Sequence, residues 1–127
     1  MANSAGYHES EAKLRAETMD NHRALTSMQE ELEAADWYDQ RVDAATDQEL
    51  KEILAHNRDE EKEHFVMLLE WYRRRDAKMS DELKNRLFAE GSIVALEQAG
   101  KGEGESGGPS ESSGSLGIGS LKGGQGL

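Results

Sequence analysis

The only proline in this chain of 127 residues is Pro109, and eleven of its thirteen glycines lie between Gly100 and Gly126. Before residue 100, only Gly6 and Gly91 interrupt a backbone otherwise free of helix breakers. Two long amphipathic helices can therefore run unbroken. The first is expected over about residues 8–41, where Leu14, Leu25, Met28, Leu32 and Ala35 recur at spacings of three, four and seven. The second opens on Thr46-Asp47-Gln48-Glu49, a capping box with Thr46 as N-cap and Glu49 at the third helical position. It should reach about Arg75, where Arg73, Arg74 and Arg75 complement the negative end of the helix dipole. A short third helix is expected to start at Ser80 and stop at Gly91.

Helices of about 30 residues are about 45 Å long, and a connection of a few residues folds them back antiparallel. A lone hairpin leaves an apolar stripe facing water. A second chain removes that exposure, since two hairpins make one four-helix bundle. The expected fold class is all-α, with two long antiparallel helices plus a short C-terminal helix, paired with a second chain.

Composition narrows the function. A net charge of −11 argues against a nucleic-acid partner, because phosphate contact needs clustered Lys and Arg. Thirteen acids against four bases between Glu30 and Glu63 favour cations instead, although a solvated helix surface accounts for most of them. The absence of cysteine excludes disulfides, zinc–thiolate sites and thiol chemistry. No apolar run approaches the roughly 20 residues of a membrane span, so no membrane partner is expected. The first residues, MANSAGYHES, lack the layout of a signal peptide. The expectation is a soluble intracellular protein with a helical domain over 1–99.

Residues 100–114 read as a flexible Gly/Ser-rich linker. Residues 115–127 differ, because Leu116, Ile118 and Leu121 break the polar composition. A pure linker has no need of three large aliphatics. Docking into a partner's groove is the preferred reading, and chance the alternative.

Projected at about 100° per residue, Leu50, Leu54, Phe65, Leu68 and Tyr72 define the apolar arc of the second helix. Glu61 and His64 lie inside it, one turn apart. A buried unpaired carboxylate costs several kcal/mol or turns neutral, so something must compensate Glu61. On the first helix Ala24, Met28, Glu31, Ala35 and Tyr38 share a face, and Glu31 again interrupts an apolar strip. Each chain thus brings one Glu and one Glu-x-x-His. Two-fold pairing doubles the set to the ligand pattern of ferritin-like di-iron carboxylate bundles. Carboxylate oxygens and imidazole suit iron or manganese, and anionic oxygens favour Fe(III) over Fe(II). Tyr38 is placed to hydrogen-bond a ligand or to act as a redox-active neighbour. The structural alternative is a Glu–His ion pair across the dimer. For Trp37, Trp71 and Tyr72 packing is the simpler role, and His8, His22 and His56 read as ordinary surface or cap residues. Glu30, Glu33 and Trp37 form a separate face, either solvated or a collecting point for Fe(II).

The block MQEELEAADWYDQRVDAATDQELKEILAHNRDEEKEHFVMLLEW resembles the encapsulated ferritin family, and LGIGSLKG is similar to the encapsulin cargo-loading peptide. The resemblance covers roughly residues 20–95 and the terminal segment. It implies two-helix half-ferritins that build a ferroxidase centre between subunits, assembled as a decameric ring. It makes Glu31, Glu61 and His64 iron ligands, with Tyr38 beside them. It assigns Glu30 and Glu33, flanked by Trp37, to an outer iron-attracting site. It implies cytoplasmic residence inside an encapsulin nanocompartment, reached through Leu116, Ile118 and Leu121, with the mineral stored by the shell. The competing expectations are a non-enzymatic acidic helical adaptor and a peroxide-reducing di-iron protein.

Overall fold

The computed structural model describes residues 6–105, and all regular structure in them is helical. After a single 3-10 turn, Glu11–Lys13, come α1 (Ala16–Ala44), α2 (Gln48–Arg73), α3 (Ala77–Arg86) and α4 (Ile93–Glu105). Among these residues no helix is long and apolar enough to cross a membrane. The chain divides into two units, at Arg75 and Asp76.

The first unit is the hairpin of α1 and α2. Its cross-helix contacts fix the direction. Val42 meets Lys51, Asp39 meets Arg58 and Glu31 meets His64, so partners rise along α2 as they fall along α1. This is antiparallel register. The turn is tied at its base by Lys51, whose Nζ donates to the carbonyls of Val42 (2.9 Å) and Ala45 (3.2 Å). These carbonyls at the end of α1 lack partners further along the helix, and an ammonium suits their negative dipole. Arg58 donates to Asp39 at 2.9 Å, a second strap half-way up.

α1 begins at Ala16, later than the expected residue 8, because the preceding residues form the 3-10 turn and an extended Leu14. α2 is capped by Asp47 rather than Thr46. The Asp47 carboxylate accepts from the Leu50 amide at 2.9 Å, and a charged oxygen suits a helix N-terminus better than a hydroxyl. At the far end Arg73 and Arg74 both donate to Glu70, at 2.7–2.8 Å, and hold its carboxyl down at about 2.

The hairpin has almost no core of its own. Only Ala24 and Met28 are buried among the described residues, each 6% exposed. Leu25, Leu32, Trp37, Leu50, Ile53, Val66 and Met67 are all exposed.

The second unit holds α3 and α4. Asp76 caps α3 by accepting from the Met79 amide at 2.7 Å, so the helix starts before the expected Ser80, which falls inside it. It also ends sooner, at Arg86, where Leu87 turns extended and Phe88 takes φ 58°. Gly91, at φ 98°, reverses the chain, as its missing side chain allows. The segment from Ser92 is helical. The Ser92 hydroxyl accepts from the Ala95 amide at 3.2 Å, and α4 continues past residue 99 to Glu105. An ion pair between Lys101 and Glu97, 2.9 Å, spans one turn across Gly100. The expected linker boundary at Gly100 thus falls inside a helix. The remainder of 100–114 and all of 115–127, with Leu116, Ile118 and Leu121, lie outside the described residues.

Replacing Asp47 by alanine should lower stability by about 1 kcal/mol, the usual worth of a lost N-cap. Thermal melts at matched protein concentration test this. An unchanged melt would mean that Lys51, not Asp47, holds the turn.

Candidate metal centre

The cross-helix register sets Glu31 of α1 opposite Glu61 and His64 of α2. Glu61 and His64 share a face because three residues make nearly one helical turn. His64 Nδ1 lies 3.4 Å from Glu31 Oε1 and 3.6 Å from Glu61 Oε1. One ligand atom from each residue lies within 4.8 Å of the other two. Among the described residues this is the only such group of three or more His, Asp or Glu side chains. The carboxylates are three-quarters covered, at 23% and 22% exposure, while His64 is 47% exposed. One side of the cluster is therefore open.

Two carboxylates this close repel unless a proton or cation lies between them. The Glu31 carboxyl is raised above its ordinary value of 4.5, first by its hydrogen bond to Glu61, then by burial and by the Glu61 charge. His64 pulls the other way but does not prevail. A carboxyl–carboxyl hydrogen bond requires one shared proton. At His64 burial lowers the pKa, and the charges of Glu31 and Glu61 outweigh it, so the net shift is upward. Two oxygen ligands and one imidazole nitrogen form a set suited to Fe(II) or Mn(II), and a divalent cation can take the proton's place between the carboxylates.

The other expected site residues do not join this cluster as ligands. Tyr38 is half-buried two turns along α1, about 10 Å from Glu31 by helical rise, and its ring faces the Arg41 guanidinium at 5.3 Å. Glu30 and Glu33 are exposed, and no third metal-binding side chain groups with them among the described residues. Trp37 is half-exposed and lines an open hollow with Gln40, Arg41 and Ala44. His56, read from the sequence as plain surface, has its Nε2 3.2 Å from Glu60 Oε2 in an exposed pair. The spacing of four was the available signal for that contact. Arg41, missed at the sequence level, carried one too, lying three residues beyond Tyr38.

A helical hairpin with one Glu facing Glu-x-x-His carries side chains of the kind that ferritin-like carboxylate bundles use. Comparison with known proteins makes the class specific. The EncFtn-like family model matches residues 6–90. An encapsulated ferritin-like protein of Rhodospirillum rubrum is 58% identical over 122 residues, covering 91% of this chain and 87% of its own length. A ferritin-like protein of Thermotoga maritima is 44% identical over 112 residues, covering 88% and 94%. A crystal structure of a Nitrosomonas europaea protein superposes with a TM-score of 0.67 at 59% identity, covering 69% of this chain and 97% of that one. The chain belongs to the EncFtn-like family, and membership supports a ferritin-like, iron-related role.

The proton linkage is testable without metal. Because the folded pKa of Glu31 is raised, its stabilising contribution is complete below about pH 4.5 and is lost as pH rises through the folded value. His64 acts in the same sense, with its contribution present below 6.5 and lost above its raised folded value. In chelator, Glu31→Gln should gain stability relative to the parent between pH 4 and pH 7, as judged by thermal melts. A constant difference across that range would rule out the shared proton.

Proposed function

We propose that the chain is a ferroxidase, in which two copies pair so that Glu31, Glu61 and His64 of each bind Fe(II) and promote its oxidation to Fe(III). The observation that carries this reading is the convergence of those three ligand atoms within 4.8 Å on a hairpin that buries only Ala24 and Met28. A site with one open side and a helix pair with exposed Leu25, Leu32 and Ile53 have a common remedy in a second hairpin.

Iron is the substrate. Two Fe(II) ions at adjacent half-sites give up one electron each, and dioxygen takes both with two protons to leave as hydrogen peroxide. Glu31 and Glu61 supply the negative charge that favours the ferric product, and they lose their shared proton as the cation binds. His64 supplies a nitrogen ligand and offsets part of the repulsion before iron arrives. Tyr38 is assigned to the margin of the site. Glu30 and Glu33, exposed beside Trp37, are assigned to collecting Fe(II) from solvent.

The name of one relative supports a setting for this activity. The Rhodospirillum rubrum protein is called encapsulated ferritin-like. We take this chain to work as a cytoplasmic cargo inside an encapsulin nanocompartment, as a ring of ten chains built from site-forming dimers. The hairpin of α1 and α2 forms the half-ferritin unit, and residues 115–127 form the shell-docking peptide through Leu116, Ile118 and Leu121. The shell, rather than the ring, holds the mineral.

The initial rate of Fe(II) oxidation in air tests the site. Glu61→Ala should fall to the protein-free rate, whereas a variant with full activity would refute the ligand assignment. If the unsubstituted chain itself oxidised no faster than buffer, the acidic adaptor would replace the enzyme, with Glu61 and His64 a structural pair. Deleting residues 116–127 should leave oxidation intact and abolish co-purification with a co-expressed encapsulin shell. Continued loading would refute the address role.

A further inference from the structure

Five large apolar side chains flank the turn between α3 and α4. Leu87 and Phe88 follow α3, and Ile93, Val94 and Leu96 lie in the first turn of α4. All five are exposed, Phe88 at 76% and Ile93 at 78%. Phe88 also holds a left-handed φ of 58°, a costly backbone region for a bulky residue. Such conformations persist where surrounding packing imposes them, yet the Phe88 ring is largely uncovered. The family match ends at residue 90, so α4 lies beyond the shared hairpin.

We propose that this apolar junction is the docking site of the chain's own C-terminal segment, with Leu116, Ile118 and Leu121 covering Phe88, Ile93 and Val94. Size favours this occupant over a second copy. A stable dimer contact takes about 20–30 residues a side, and five side chains fall well short. The reach is sufficient. Ten residues separate Glu105 from Leu116, which span up to about 35 Å, whereas the return along α4 from Glu105 to Ile93 is only about 20 Å. A Gly/Ser-rich tether of this length gives millimolar effective concentration, so modest apolar burial suffices to dock it. The chemistry matches as well. Leu116, Ile118 and Leu121 are the only large aliphatics between residues 106 and 126, and the only charges there are Glu111 and Lys122.

One consequence rests on the shell-docking reading above. Aliphatics held by the junction are withheld from a shell groove, which then captures only the undocked fraction. Docking itself requires neither shell nor iron, so its test separates from theirs.

The chain contains no cysteine, which makes disulfide trapping clean. Full-length protein carrying Val94→Cys with Ile118→Cys should form an intrachain disulfide rapidly under mild oxidant, read on a non-reducing gel. Adding Leu116→Ser and Leu121→Ser should slow it by about tenfold, because apolar burial is removed while the tether is kept. An unchanged rate would mean random tether collisions and would overturn the proposal. Predominantly interchain disulfides would assign the junction to a second copy and overturn it equally. The pair Leu96→Cys with Leu121→Cys, with Leu116→Ser and Ile118→Ser as its control, repeats the test should circular dichroism show that the first pair disturbs α4.

Discussion

Two carboxylates facing each other across a helix seam are the constraint around which the hairpin is organised. Glu31 and Glu61 occupy positions that an ordinary two-helix seam would give to leucine or alanine. Left alone they repel, and the raised Glu31 carboxyl records the compromise of a shared proton with His64 alongside. That arrangement is poor for stability, since a well-packed apolar pair of similar volume is commonly as good or better than a buried charge cluster. What it provides is a negative pocket with fixed geometry. The straps formed by Lys51 to Val42 and Arg58 to Asp39 hold the register that keeps Glu31 opposite His64. A slip of one residue would rotate Glu31 by about 100° out of the seam.

Much of this was legible in the sequence because helical periodicity is a strong signal. Glu31 and Glu61 stood out by interrupting apolar arcs, and i, i+3 spacing joined His64 to Glu61. Pairing α1 with α2 in antiparallel register then followed from the short connection around Asp47. The caps were harder, because Thr46 and Asp47 are neighbours that both suit an N-cap, and the choice turned on which oxygen reaches the Leu50 amide. α3 posed the same problem between Asp76 and Ser80. The helicity of α4 was illegible for a different reason. Glycine composition argues against a helix, while the Ser92 cap and the Lys101–Glu97 pair act locally and in its favour. The Arg41 contact with Tyr38 left only an i, i+3 spacing in the sequence, a signal that many surface pairs on a helix share.

In the dimer proposed above, metal binding and chain pairing would share one surface, and this would couple them. A cation that favours four carboxylates and two imidazoles over half that set must favour the paired state, by linkage. Pairing in turn would cover the apolar side chains that the hairpin leaves exposed and reduce water's access to the open side of the cluster, which would strengthen the carboxylates' hold on a cation. Among the described residues only Ala24 and Met28 are buried, which is a small core for a hairpin standing alone. In that proposed dimer, assembly would supply apolar burial that the single chain lacks, and a bound cation would add to it. Without a cation, the four carboxylates of such a pair would oppose pairing. Under the proposed pairing, the charge that would destabilise an empty pair is the same charge that a cation would require.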